Sequence, residues 1–195
     1  LPRRTVELAQ RYGNMLASAV EEVLLDNPRG LAPKLQTTME MVSLELDDPP
    51  AREELETTAK SKNYRGRWAR RLLKEMDEGK PFIKEYPFPL QAWRLGSQLW
   101  FTMGGEVVVD YSLRFKNEYG PQTWVAGYCN DVMAYIPSHR VLVEDIPPRH
   151  SRRWGYEGST SMAVYGMPAH RWKADVEDRI GFAARRLYEQ LNSDK

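Results

Sequence analysis

The stretch Gln98-Leu99-Trp100-Phe101-Thr102-Met103-Gly104-Gly105-Glu106 constrains the fold more than any other. Its aromatic and apolar residues suit a pleated, half-buried strand. Just upstream lie Pro89-Leu90-Gln91-Ala92-Trp93-Arg94-Leu95 and then Gly96-Ser97. Two strand-like runs flanking a short Gly-containing turn predict a hairpin over 88–102. The second run then ends in two glycines and a carboxylate. Glycine lets the backbone approach another atom closely. In open α/β sheets, ligand groups gather at the carboxyl ends of strands. Glu106 is therefore a candidate functional residue, although a carboxylate here also suits a helix N-terminus.

Around this hairpin, helical and strand patterns alternate. Val6, Ala9, Leu16, Ala17, Val20, Val23 and Leu24 recur at helical spacing, which predicts an amphipathic first helix. Pro2 suits its first turn, and Asn27-Pro28-Arg29-Gly30 ends it. Residues 35–46 alternate in part and predict a strand. Asp47-Asp48-Pro49-Pro50 opens a charged stretch over about 51–79, which predicts two exposed helices broken near 62–66. The triplet Val107-Val108-Val109 favours a strand by propensity. Residues 122–128 and 132–136 predict two short strands around Asn130-Asp131. Residues 137–160, rich in Pro, Gly, Arg and Ser, predict mostly loop. A last helix over about 174–191 carries Val176, Ile180, Ala183, Ala184, Leu187 and Leu191 as its apolar stripe. The expectation is an α/β or α+β fold, a mixed sheet with flanking helices. The chain is read as a single compact fragment over 1–195. A helix-rich part with one strand fills 1–87, and a second part fills 88–195.

Composition narrows the functional classes. A formal net charge of +1 gives no global field toward nucleic acid. Arg65, Arg67, Arg70 and Arg71 with Trp68 form a local basic run. Glu53, Glu54, Glu56, Glu75, Asp77 and Glu78 surround it, and mixed charge of this kind marks a solvated face. No nucleic-acid partner is expected. No run reaches the roughly 20 apolar residues of a membrane-spanning helix, so no transmembrane segment is expected. A single cysteine, Cys129, leaves no intrachain disulfide framework. No signal peptide is visible. The chain begins at Leu1, which fits a processed or truncated product.

Several catalytic motifs are absent, among them a G-x-S-x-G elbow, a P-loop, HExxH and a CxxC pair. The three histidines, His139, His150 and His170, share no i, i+2 or i, i+4 spacing. They do not suggest a self-contained metal site. Besides Glu106, one further stretch stands out: Trp154-Gly155-Tyr156-Glu157-Gly158-Ser159-Thr160-Ser161, followed by Tyr165-Gly166-Met167-Pro168. Polar, Gly-punctuated loops with aromatic residues often carry function. The same composition also fits an ordinary turn with packed tyrosines.

These residues occur in a telling order. A strand leads to Gly-Gly-Glu106, then Gly127-Tyr128-Cys129-Asn130, Tyr135-Ile136-Pro137-Ser138, Tyr156-Glu157-Gly158-Ser159-Thr160 and Tyr165-Gly166. Over about 88–191 this order resembles the neutral/alkaline non-lysosomal ceramidase family, especially its divergent bacterial members. The resemblance implies that 88–195 is the C-terminal part of a larger ceramidase-like catalytic domain. It also implies a helix after Glu106. The implied function is that of a zinc-dependent amidohydrolase cutting the N-acyl amide bond of a ceramide-like lipid, in sphingolipid metabolism. Glu106 and Tyr156 would be metal ligands. Tyr165 would be catalytic, facing the scissile carbonyl and stabilising its oxyanion. Carboxylate and phenolate oxygens are acceptable donors to Zn²⁺.

The family's upstream histidine ligands and its Ser-bearing motif are not in this chain. Zinc would thus belong to the full-length protein, and the chain alone would be inactive. The implied partners are the N-acyl lipid substrate and the missing N-terminal part of the same protein, in a secreted or periplasmic location. Ser161-Met162-Ala163-Val164 makes the gap before Tyr165 longer than the family's, and Met167 precedes Pro168 where the family has Pro directly. The alternative function is a non-catalytic binding or scaffold module with the same fold.

Overall fold

The computed structural model describes residues 3–144 and 155–193. The chain divides into two compact units, Leu1–Ala32 and Pro33–Lys195. The first unit is helix α1, Val6–Leu25. The Thr5 side chain caps it by accepting from the Leu8 N–H at 3.2 Å, which satisfies one orphan donor of the first turn. Its apolar stripe forms as the spacing predicts, but none of its residues is buried. Pro2 lies outside the described residues.

The second unit is built on a four-stranded mixed sheet in the order β1-β2-β3-β5. β1 (Leu35–Glu45) and β2 (Glu85–Leu95) pair antiparallel along their full lengths, from Leu35 opposite Leu95 to Glu45 opposite Glu85. This pairing joins the segments before and after residue 87 into one sheet. The predicted hairpin is present: β2 turns at Gly96 into β3 (Gln98–Met103). β5 (Trp124–Ala126) runs parallel to β3. The short strands β4 (Glu106–Val107) and β6 (Tyr135–Ile136) form a separate parallel pair.

One face of the sheet is packed by the last helix, α7 (Val176–Ser193), whose Ile180, Ala183, Ala184, Leu187 and Leu191 are buried. They join Val42, Leu44, Phe88, Leu90, Phe101 and Met103 in the main core. Tyr111 and Phe115 of α4 (Val109–Tyr119) enter the same core. Burying such side chains contributes about 1.5–3 kcal/mol each relative to exposure. The charged stretch does form two helices, α2 (Arg52–Ala59) and α3 (Tyr64–Asp77). They are not wholly exposed, since Leu55, Trp68, Ala69 and Leu72 make a second core.

Two local expectations change. The helix expected after Glu106 starts at Val109, because Glu106 and Val107 pair with Tyr135 and Ile136 first. The loop expected over 137–160 contains α5 (His139–Glu144) and a π-helical turn, Tyr156–Thr160. His150 and Trp154 lie outside the described residues. A short helix, α6 (Met162–Tyr165), follows the π-helical turn. No helix among the described residues is long and apolar enough to cross a membrane.

Candidate functional site

The Gly104-Gly105 link folds Glu106 back against two neighbouring segments. The Gly105 N–H donates to Asp131 O at 2.8 Å, and the Glu106 N–H donates to Ala134 O at 2.9 Å. In return, the Tyr128 and Cys129 N–H groups donate to Gly105 O and Met103 O. Gly105 sits at φ +68, and a Cβ there would lie 2.6 Å from Ile136 Cγ1 and 2.8 Å from Ala134 O. Gly127 is also close-packed, since its Cβ would lie 2.9 Å from Val107 Cγ2. Only glycine fits a left-handed backbone pressed against another chain segment this closely. Sequence reasoning placed Glu106 at the end of a strand; in the structure it lies three residues past the end of β3 and opens β4.

Around Glu106 the structure gathers phenols from three distant parts of the chain. The Tyr165 hydroxyl donates to Glu106 Oε2 at 2.9 Å. Tyr128 and Tyr135 also act on the same carboxylate and favour its charged form. The Tyr135 ring lies edge-on to Tyr156 at 5.4 Å and to Tyr165 at 6.3 Å between centroids. Tyr135 is thus the hub of the cluster. All three residues singled out from sequence, Glu106, Tyr156 and Tyr165, meet here.

The electrostatics follow from this geometry. Burial works to raise the pKa of Glu106, but Tyr128, Tyr135 and Tyr165 outweigh it and hold the carboxyl below its usual value. The phenols move the other way. Burial first, and then Glu106, push Tyr165 up to about 12. Glu106 leads the upward shifts of Tyr128 and Tyr135. The site therefore presents a charged carboxylate ringed by protonated phenols at neutral pH.

Anchors outside the cluster hold these side chains. Trp68 Nε1 on α3 donates to Met167 O at 2.6 Å, and Arg71 donates to Gly166 O at 2.6 Å. Both bonds fix the end of α6 just after Tyr165. Arg70 donates to Ala59 O and Ser61 O. Two arginines of the basic run thus have internal structural partners. The buried Tyr111 hydroxyl donates to Pro137 O at 3.0 Å, which pins the chain after β6. Tyr156 begins the π-helical turn, a rare element frequently found at functional sites.

Glu106 and Tyr156 offer a carboxylate and a phenol as oxygen donors, a chemistry that fits part of a mixed zinc site. The described residues hold no group of three or more His, Cys, Asp or Glu placed to bind a metal ion. His170 is instead tied to Glu54 at 2.8 Å, beside the Trp68 ring. His139 heads α5, with its backbone N–H on Glu177.

No family model, curated protein or solved structure matches the chain.

Sequence reasoning gave no role to Tyr128 and Tyr135. Tyr128 adopts φ +59 and Asn130 φ +70. Left-handed backbone is ordinary for asparagine but unusual for tyrosine. Such strain, held by surrounding contacts, clusters at functional sites. The Gly127-Tyr128-Cys129-Asn130 stretch, with a glycine and an asparagine around the tyrosine, was the available signal.

Proposed function

We propose that this chain carries part of the active site of a zinc-dependent amidohydrolase of the ceramidase type, acting on the N-acyl amide bond of a ceramide-like lipid. One observation supports this reading above the others. Glu106, Tyr156 and Tyr165, separated by up to 59 residues, converge around a single charged carboxylate. A structural carboxylate is usually paired with Arg or Lys or accepts backbone N–H bonds. Here the side-chain hydrogen-bond donor is the Tyr165 phenol, which leaves negative charge to be offered to a cation.

Glu106 and Tyr156 would hold the metal, and nitrogen donors would come from polypeptide outside residues 1–195, since catalytic zinc sites use three protein ligands or more. Zinc, when bound, polarises the amide carbonyl and acidifies a water molecule. Tyr165 lies beside the carboxylate, with its hydroxyl on Glu106 Oε2. Its hydroxyl would turn from Glu106 to donate to the carbonyl oxygen as charge develops there. Tyr135 keeps Tyr156 and Tyr165 in register through its two edge-on ring contacts.

The test is hydrolysis of N-acylsphingosine by the full-length polypeptide. The reading requires activity that depends on zinc and is lost in Glu106→Ala and in Tyr156→Phe. A polypeptide that binds N-acylsphingosine without cleaving it, and whose variants bind equally well, would support the non-catalytic alternative.

A further inference from the structure

β1 is an edge strand, with β2 on one side and no strand on the other among the described residues. Its backbone groups divide by parity. The Gly96 N–H donates to Lys34 O at 2.9 Å, and the Leu46 N–H donates to Lys84 O at 2.8 Å. These two contacts bracket the strand, so the even-numbered residues of β1 spend both backbone groups on β2. The odd-numbered residues turn theirs to the open edge. Toward its carboxyl end that edge is used. Glu45 O accepts from the Lys173 N–H at 2.9 Å, and Ser43 O accepts from Arg179 at 3.3 Å. Leu35, Thr37, Met39 and Met41 have no backbone partner on that side among the described residues.

A bare strand edge is a template for another strand, and natural edges are blunted by proline, lysine, a bulge or a covering segment. Residues 35–41 carry no proline and no lysine. Their register on β2 is unbroken, so no bulge turns the edge away. The one charge, Glu40, is held by Arg186 of α7. A groove of about 550 Å³, lined by residues 35–38 and by Gln190, Leu191 and Ser193, leaves room beside the strand.

The free run is complementary to itself. Turned about a two-fold axis at Thr38, it meets a second copy with Leu35 opposite Met41 and Thr37 opposite Met39. Every outward N–H and C=O from Leu35 to Met41 then finds a partner. On the sheet face away from α7, the exposed Leu35 meets Met41 and Thr37 meets Met39. On the α7 face, Gln36 lies opposite Glu40 and Thr38 opposite its own copy. No like charges meet across the strands, which would be destabilising.

We propose that β1 pairs antiparallel with β1 of a second copy of this chain, joining the two sheets into one across a two-fold axis at Thr38. The contact is strand addition, in which main-chain hydrogen bonds hold the partner. It is isologous, as in the two-fold dimers that dominate homo-oligomers. The occupant is a second copy because both the free backbone groups and the side-chain matches are centred on Thr38.

The test is the mass of a purified polypeptide that contains residues 1–195, by light scattering over a dilution series, together with amide hydrogen exchange. Two copies are expected, with slow exchange at Leu35, Thr37, Met39 and Met41. Met39→Pro removes an outward N–H and leaves the bonds to β2 intact, a placement that edge strands tolerate. It should give one copy with unchanged far-UV circular dichroism. Disulfide formation in a Cys129→Ser background reads the register. Thr38 and its copy would form a non-hydrogen-bonded pair with Cα atoms about 4.5 Å apart, within the roughly 4.4–6.8 Å that a disulfide spans. Thr38→Cys should link two copies on mild oxidation, and Gln36→Cys, placed opposite Glu40, should not. This readout decides the matter if Met39→Pro fails to fold. One copy at every concentration with fast exchange along the edge overturns the proposal. One copy with slow exchange means that another strand of the same polypeptide covers the edge, and overturns the second copy as occupant. Two copies that persist in a folded Met39→Pro, or that link as readily through Gln36→Cys, overturn the pairing.

Discussion

Replacing Gly105 by alanine tests how the site is built. Gly105 sits at φ +68, and its new Cβ would lie 2.6 Å from Ile136 Cγ1 and 2.8 Å from Ala134 O. Left-handed backbone costs an alanine roughly 1–2 kcal/mol. Ile136 is fully buried, so relieving the contact means shifting core side chains or backbone, typically about 1–3 kcal/mol. The expected loss is their sum, about 2–5 kcal/mol. Gly79→Ala is the control, since Gly79 has φ +67 and nothing within 4 Å of its would-be Cβ. It incurs the backbone cost alone, roughly 1–2 kcal/mol. Urea unfolding of both variants beside the wild type measures the difference, read as a shift of midpoint at constant slope. Equal midpoints for the two variants would refute the claim that β6 presses on the Gly104-Gly105 link.

Three further outcomes follow from the contacts. Tyr165→Phe removes the hydrogen bond to Glu106 Oε2 and should raise the pKa of Glu106, read by carbon-detected NMR titration. The sign for stability follows: Glu106 is depressed in the folded state, so its contribution is present above its unfolded value and lost as pH falls through the folded one. The deficit of Tyr165→Phe against wild type should therefore shrink in acid, which urea unfolding at neutral and acidic pH would check. Trp68→Phe keeps most of the ring but leaves Met167 O without its 2.6 Å donor, and should cost about 1–3 kcal/mol by the same measurement. Tyr135→Phe retains both ring contacts but loses the hydroxyl. It should raise the Glu106 pKa less severely than Tyr135→Ala, which also frees Tyr156 and Tyr165.

Local chemistry made some of this legible in the sequence. The Gly96 turn between two strand-like runs fixed the hairpin, and the spacing of Ile180, Ala184, Leu187 and Leu191 fixed the buried side of α7. The alternation of β1 was also visible, but not which set faces inward. Gln36, Thr38 and Glu40 face α7, where Thr38 and Glu40 meet Gln190 and Arg186. Met39 and Met41 face outward. No property of the strand alone decides this, because the deciding partners lie about 150 residues away. The start of α4 was missed for a similar reason, since β4 exists only through its pairing with β6. Glu106 stood out because a carboxylate after two glycines is a local pattern. Tyr128 and Tyr135 acquire roles only when their loops are folded around it.

Zinc stoichiometry tests the central claim most directly. It would be measured by elemental analysis of a purified polypeptide that contains residues 1–195 and of its Glu106→Ala and Tyr156→Phe variants. The account predicts stoichiometric zinc in the wild type and loss of zinc in both variants, with folding retained. A polypeptide that holds no zinc, or variants that retain it as the wild type does, would contradict the account and leave the phenol-ringed carboxylate without a metal to hold.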